Sequence, residues 1–536
     1  MDTQGQALHP LRRLSLQDKI MQEFDVIIIG GGITGAGTAR DCALRGLRTL
    51  LIERDDIACG ASGRNHGLLH SGARYAVGDP ESARECIEEN MILRRIASNC
   101  VEPTGGLFIS LPEDGLDYQA EFIRKCAEAG IQTEKLTPQK ALALEPSVNP
   151  ALIGAVKVPD ASVDPFRLVS DNILDARIHG AQVLTRCEVV SLIRENVTVQ
   201  GVRVLDKSTG TYEKYYAHYV VNAAGIWGAH IAELAGTHIG MLPAKGSLLV
   251  FEHRVARMVI NRCRKPANAD ILVPGDVVSV IGTTSDKVPF DQCDDMRVTP
   301  AEVDLLLSEG CKLVPSLADT RIIRAYAGVR PLVADDSDPS GRSVSRGIVL
   351  LDHAERDGIH GFISITGGKL TSYRLMAQMT ADLVCRKLSL EKPCETAQRE
   401  LPSSEKNKVK TFTLPEKAAC GRHSGQLAAF NFSGKGGEVV CECEQVSRAE
   451  IAYAVKVLGV RTLDDLRRRT RVGMGPCQSS YCIGKAAKVL AEELGDPQKA
   501  EALEREFLQQ RWKGIVPVCW GEQLRQAEYL REKYGK

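Results

Sequence analysis

A short apolar run, Phe24-Asp25-Val26-Ile27-Ile28-Ile29, passes straight into glycines spaced GxGxxG at Gly30, Gly32 and Gly35, and this junction constrains the fold more than any other stretch. β-Branched residues in an unbroken run read as a strand buried on both faces. Gly30 then permits the tight turn, Gly32 lets the backbone approach a pyrophosphate, and Gly35 lets the next helix pack on the strand. The N-terminus of that helix faces the phosphates. A helical stretch through Ala43 and Leu44 leads to a second strand at residues 49–52, closed by Glu53, which is placed to accept from ribose hydroxyls. NAD and FAD both fit this pattern; the bland alternative is a glycine-rich turn beside a solvated glutamate.

A chain of 536 residues with 43% hydrophobic content exceeds the usual size of one domain, so two or three are expected. Lys+Arg and Asp+Glu both number 68, which leaves no bulk field to recruit nucleic acid or an anionic membrane. Any charge selectivity is therefore local. The 17 cysteines, an odd number in an enzyme-sized chain, point to reduced thiols in a cytosol rather than a disulfide framework. The first twenty residues hold Arg12, Arg13 and Lys19 but no apolar core, which supports neither a signal peptide nor a transmembrane helix, and Met21 is an alternative start.

Residues 59–75, from Cys59-Gly60-Ala61-Ser62-Gly63-Arg64 through Asn65-His66-Gly67-Leu68-Leu69-His70 to Ser71-Gly72-Ala73-Arg74-Tyr75, are too polar and glycine-rich for a connecting helix and read as a loop along an extended cofactor. Here the chain resembles the FAD-dependent glycerol-3-phosphate dehydrogenases, within the glycine/D-amino-acid oxidase-like flavoproteins. Val220-Val221-Asn222-Ala223-Ala224-Gly225-Ile226-Trp227, Gly328-Val329-Arg330-Pro331-Leu332 and Gly367-Gly368-Lys369-Leu370-Thr371-Ser372-Tyr373-Arg374 are similar to further signatures of that family. The last of these is expected to open a helix at Gly367-Gly368 whose N-terminus stabilises charge on the reduced flavin. The resemblance is closest to the catalytic A subunits of the bacterial anaerobic enzymes and covers about residues 21–536. Aerobic relatives carry a histidine after a Lys-Gly-Ser triplet, where this chain has Lys245-Gly246-Ser247-Leu248.

The motif order implies an α/β architecture in which a Rossmann-like FAD-binding domain is interleaved with an antiparallel-sheet cap. The expected divisions are 21–104, 156–235 and 341–390 for the FAD-binding domain, and 105–155 and 236–340 for the cap. Alternating runs at Ser247-Leu248-Leu249-Val250-Phe251 and Val277-Val278-Ser279-Val280-Ile281 are expected cap strands. A linker at 391–437 follows, marked by the polar stretch 402–408 and by Gly434-Lys435-Gly436-Gly437. A small helical unit at 438–495 and a charged C-terminal segment at 496–536, with Trp512 and Trp520, complete the chain. That segment reads as a docking element or a solvated terminal helix.

In the small unit, Ser447 and Glu450 form a capping signal, another helix starts near Thr462, and Ile483, Ala487, Leu490 and Leu494 mark a third. Cys441 and Cys443 precede these helices, Cys477 and Cys482 lie among them, and the order CxC then CxxxxC resembles the [2Fe-2S] domain of bacterioferritin-associated ferredoxin. Structural zinc is the alternative, but its ligands usually come in pairs spaced by about two to four residues. The run Arg467-Arg468-Arg469-Thr470-Arg471 reads as a solvated face or a patch that docks another subunit, and a DNA-reading helix is the weaker alternative.

The resemblance implies FAD bound by Gly30, Gly32, Gly35, Glu53, Arg54, Ser62, Asn65, His66, Gly67, Leu68, Val189, Ala224, Gly225, Gly367, Gly368, Lys369, Leu370 and Thr371. Oxidation of a secondary alcohol needs a base at the hydroxyl and cations at the phosphate. Arg330 is the first candidate for phosphate, since a guanidinium grips it in a fork. Arg74, Lys369, Arg374 and Tyr75 are further candidates. His70, then His66, is the expected base, with Lys369 a rival. The expected reaction takes sn-glycerol 3-phosphate to dihydroxyacetone phosphate, with electrons leaving through the cluster to B and C subunits and menaquinone at the inner face of the cytoplasmic membrane. Two other readings are a 2-hydroxy acid or amino acid dehydrogenase, because residues 65–72 also resemble the loop of hydroxyglutarate oxidoreductases, and a non-catalytic electron-transfer or cluster-scaffold protein.

Overall fold

The structure, a computed structural model, describes residues 23–333, 347–404 and 437–534; Met21, the polar residues 405–408 and the glycine-rich residues 434–436 lie outside them. The first strand, Glu23–Ile29, is parallel to Thr49–Ile52 on one side and to Thr211–Asn222 on the other. Its side chains alternate between two apolar cores, Val26 and Ile28 on one face and Ile27 and Ile29 on the other. It is the centre of an eight-stranded sheet that also takes in Gln182–Leu184, Cys187–Glu195, Thr198–Asp206, Ile348–Asp352 and Phe362–Gly367. Helix Ile33–Leu44 packs against helices Pro165–Ile178 and Tyr373–Lys387 over one face.

The second sheet has nine strands, built from residues 106–158 and 241–333. Its pairs are antiparallel except Val259–Arg262, which runs parallel to Gly106–Ser110. Its longest pairing joins Met241–Phe251 to Ile322–Val333, and helix Pro300–Leu313 covers the core beneath. The apolar run at 277–281 is a strand only from Ser279 onward: the Gly275 N–H donates to the Val278 carbonyl at 2.8 Å and closes a turn that takes up Val277 and Val278.

Gly367 and Gly368 do not open a helix. Gly367 ends the strand Phe362–Gly367, both residues have positive φ (73° and 64°), and the helix begins at Tyr373. Successive left-handed residues do not propagate an α-helix.

In the C-terminal unit, helices Arg448–Lys456, Leu463–Thr470 and Ile483–Glu493 enclose one apolar core. Ser447 accepts from the Glu450 N–H, and Thr462 forms a capping box with Asp465. The segment beyond divides into a docked part and a last helix, Gly521–Tyr534, that is mostly exposed, with Gln523 and Ala527 buried. Leu503 and Phe507 of helix Ala500–Ile515 enter the core of this unit, and Val518 enters that of the nine-stranded sheet, so the segment clamps the two together. Among the described residues no helix is long and apolar enough to cross a membrane.

The arginine run is not a solvated face. Arg468 Nε and Arg469 Nη2 each donate to Asp56 at 2.6 Å, three residues beyond Glu53, and Asp56 is 4% exposed. Arg471 pairs with Asp164 at 3.5 Å, Asp276 at 3.3 Å and Glu444 at 3.2 Å, tying the two sheets to the thiol unit. Burial alone would raise the Asp56 pKa, but Arg469 and Arg468 hold it below the usual carboxylate range. Because its folded pKa is depressed, the stability it contributes is present above the unfolded value of about 3.9 and is lost as pH falls below that. Asp56→Asn removes the carboxylate that both buried guanidinium groups share, while Arg468 keeps Asp465 at 3.0 Å, so the expected cost is at the lower end of a broken buried pair, about 3 kcal/mol. Thermal unfolding at neutral pH reads this directly: an unchanged midpoint would show that the ion pair does not hold the units together.

Candidate active site and thiol cage

A cavity of ≈ 1700 Å³ lies between the two sheets. Its floor is the glycine turn. Gly30 has φ +115°, and a Cβ there would sit 2.6 Å from the Ala223 carbonyl oxygen; a Cβ on Gly35 would sit 1.9 Å from that of Gly30. Neither position has room for a side chain, and Gly30 and Gly32 line the cavity with bare backbone. Glu53 Oε2 accepts from the Gly31 N–H at 2.6 Å and Oε1 from the Asp55 N–H at 2.9 Å. Burial pushes its pKa up against these two donors. Arg54 lies 4.4 Å over the Trp227 ring and pairs with Asp294. Val189, Ala224 and Gly225 line the same end.

The polar loop runs along one wall. Ser62 Oγ accepts from the Ile33 N–H at 2.9 Å, which sets a hydroxyl at the start of helix Ile33–Leu44. Asn65 Oδ1 accepts from the Gly67 N–H at 2.8 Å, and its amide donates to the Ser62 carbonyl at 2.7 Å. His66 Nδ1 accepts from the Leu68 N–H at 3.2 Å. The rings of His66 and His70 are 5.9 Å apart, and that of Tyr75 is 5.3 Å from His70. Thr371 lies behind the wall, where its hydroxyl accepts from the His70 N–H at 3.2 Å.

Three of the four cationic candidates meet in this space. Arg330, from strand Ile322–Val333, donates to the Thr283 hydroxyl, the Thr284 carbonyl (2.9 Å) and the Ser285 hydroxyl (3.4 Å). Lys369 donates to Ser82 Oγ at 2.8 Å with its ammonium 4.9 Å from the Tyr75 ring, and Arg74 donates to the Ala267 carbonyl and to Asp270. Gly367, Gly368 and Leu370 line the wall beside Lys369. Arg374 is elsewhere: it is 4% exposed, forks onto Glu89 with distances of 2.8 and 2.5 Å, and does not line the cavity. Leu248 is also outside the cavity, buried against Gly282, whereas Gly246 faces Arg330. Arg64, Lys265, Thr283 and Ser285 line the cavity too. Arg64 lies within the polar loop, and its place in that motif is the signal that marks it; the others are isolated polar residues in sheet connections, without a spacing that points to them.

The four thiols converge in pairs. Cys482 donates to Cys441, which draws the Cys441 pKa down, and Cys443 pairs with Cys477. The Gly473 and Glu444 N–H groups donate to the Cys441 sulfur, and the Cys477 N–H to that of Cys443. A Cβ on Gly475 would lie 2.4 Å from that of Cys443, so this glycine lets the second loop close on the first. Two pairs of thiols with backbone donors fit a binuclear iron-sulfur centre, which would take two protein thiolates at each iron.

Comparison with known proteins agrees with both sites. Residues 25–374 match the family described as FAD dependent oxidoreductase, and residues 439–492 match the BFD-like [2Fe-2S] binding domain. The first site is thus assigned to FAD, and the four thiols to a [2Fe-2S] cluster rather than zinc. Among anaerobic glycerol-3-phosphate dehydrogenase A subunits, that of Escherichia coli K12 is 60% identical, covering 96% of each chain, and that of Haemophilus influenzae is 56% identical, covering 95% of this chain and 92% of its own. Among solved structures, the glycerol-3-phosphate dehydrogenase of Bacillus halodurans complexed with FAD superposes with a TM-score of 0.69 at 25% identity, covering 93% of this chain and 97% of its own. A flavin site and a cysteine cage joined in one chain, with this likeness along nearly its whole length, place the protein in the family of anaerobic glycerol-3-phosphate dehydrogenase A subunits.

Proposed function

We propose that the chain oxidises sn-glycerol 3-phosphate to dihydroxyacetone phosphate and delivers the electrons to partner subunits. The observation that carries this is the meeting of Arg330, Lys369 and Arg74 with His70 in the cavity that the glycine turn floors. When bound, FAD supplies the acceptor for the hydrogen that leaves the carbinol carbon with its electron pair, and the cluster supplies a one-electron carrier. Gly30, Gly32 and the start of helix Ile33–Leu44 hold the pyrophosphate, Glu53 the ribose, and the loop from Ser62 to Leu68 the extended cofactor. Arg330 takes the substrate phosphate as a bidentate fork, and Lys369 and Arg74 add charge around it. His70 accepts the proton of the alcohol. Lys369, hydrogen-bonded to Ser82 and seated near Tyr75, is better placed as a cation than as a base. B and C subunits, with menaquinone as the final acceptor and peripheral attachment to the inner face of the cytoplasmic membrane, complete this reading.

The test is an anaerobic titration of holoprotein with glycerol 3-phosphate, 2-hydroxyglutarate and amino acids. Glycerol 3-phosphate should bleach the flavin, with the cluster's paramagnetic signal rising afterwards; bleaching only by a hydroxy acid or amino acid, or by none, would reject the assignment. Arg330→Ala should lower kcat/KM by roughly 10- to 150-fold, the effect of losing about 1.5–3 kcal/mol of charged hydrogen bonding, mostly through KM. An unchanged KM would remove it from phosphate binding. His70→Gln should lower kcat by about 10²–10⁴-fold with flavin content retained, and full activity would move the base elsewhere.

A further inference from the structure

Three arginines from three different elements gather between the flavin cavity and the thiols with too few carboxylates to match them. Arg324 lies on strand Ile322–Val333, Arg467 on helix Leu463–Thr470 and Arg511 on helix Ala500–Ile515. Their approach is enforced by packing: a Cβ on Gly514 would lie 2.7 Å from the Ala325 carbonyl and 2.9 Å from Arg324 Nε, so helix and strand touch. Asp464 pairs with Arg467 at 3.2 Å, and among the described residues neither Arg324 nor Arg511 makes an ion pair. The buried Nε atoms of all three lack a hydrogen-bond partner. Burial lowers all three pKa values, Arg324 to about 9, and Arg467 adds repulsion at both Arg324 and Arg511. A buried cation without an anion is costly, and an unmatched group of them calls for a counter-charge.

Among the described residues Asp464 is the one carboxylate that acts on all three, and beyond it Arg511 reaches the thiol cage. Arg511 donates to the Gly473 carbonyl, while the N–H of the same glycine donates to the Cys441 sulfur, and Arg511 also feels the Cys482 thiol. A [2Fe-2S] cluster on four thiolates is an anion when oxidised and gains one more negative charge on accepting an electron. Nearby fixed cations stabilise the reduced form more than the oxidised one and so raise the potential. We propose that Arg324, Arg467 and Arg511 are the counter-charge of the cluster and set its potential high enough to draw electrons from the flavin site. They are positioning residues and touch no substrate. The inference rests on the reading above, that the cluster is the carrier next after the flavin.

The test compares holoprotein with Arg324→Met and Arg324→Lys. Arg324 donates no hydrogen bond among the described residues, so methionine removes the charge and keeps much of the length. The readouts are iron and sulfide content and the cluster midpoint in a redox titration followed by paramagnetic resonance. The expected result is full cluster content in both, a more negative midpoint in Arg324→Met, and a near-native one in Arg324→Lys. Loss of the cluster from the methionine variant alone would also support the counter-charge. An unchanged midpoint in a fully loaded methionine variant would overturn the proposal, as would loss of the cluster from both variants, which marks a packing role. A native midpoint that shifts with phosphate concentration would overturn it too, since a mobile anion would then be the counter-charge. Flavin bleaching by glycerol 3-phosphate is recorded on the same samples; its failure beside an intact midpoint shift strikes the substrate assignment and leaves this inference standing.

Discussion

The pairing of Ile322–Val333 with Met241–Phe251 is the constraint on which the rest of the molecule depends. The two strands stay in register over eleven residue pairs with one irregularity near Phe251, so the strand is held along almost its whole length. At the near end, Arg321 donates to the Pro476 carbonyl at 3.3 Å, beside the ligand Cys477. In the middle, the Tyr326 hydroxyl donates to the Asn65 carbonyl of the polar loop at 2.8 Å. At the far end, Gly328 and Arg330 line the cavity. Nine residues of strand span about 30 Å. One stiff element therefore sets where the thiols lie relative to the flavin loop and where the Arg330 guanidinium sits.

Local signals in the chain carried most of the first site. Phe24–Glu53 forms strand, glycine turn, helix, strand and acid because each step depends on near neighbours: β-branched residues favour the strand, and backbone contacts as short as those of Gly30 and Gly35 exclude any side chain. The capped helices around Ser447 and Thr462 are legible for the same reason. Charge is different, because the partner of a charged side chain is remote in sequence. Arg374 stands in a glycine-rich signature yet its guanidinium meets Glu89, 285 residues away, and Arg469 meets Asp56 at a separation of 413. The run Arg467-Arg468-Arg469 looks solvated in one dimension because Asp56, which receives Arg468 and Arg469, comes from another domain. The helix expected at Gly367 failed for a related reason: glycine can open a helix or end a strand, and here two positive φ values set the second outcome.

The electrostatics divide into three kinds of environment. At the domain junction, cations and carboxylates are matched, as at Asp56 and Arg471, and the interaction is structural. In the cavity the partners are mixed: Arg330 donates to the Thr283 and Ser285 hydroxyls and the Thr284 carbonyl, whereas Arg74 also pairs with Asp270. Beside the thiols, cations exceed carboxylates, which suits a centre that becomes more negative in use. A chain with no net charge thus concentrates positive charge at particular places in the fold.

Cofactor binding and domain docking also share one loop. Glu53 receives the Gly31 N–H below the glycine turn, the Ala58 N–H donates back to the Gly31 carbonyl at 3.1 Å, and between them Asp56 receives Arg468 and Arg469 from the thiol unit. Anything that orders residues 53–58 lowers the cost of ordering them for the other partner, so flavin binding and docking of the thiol unit favour each other by the same free energy. The seven residues from Glu53 to Cys59 thus connect the two requirements without any moving part.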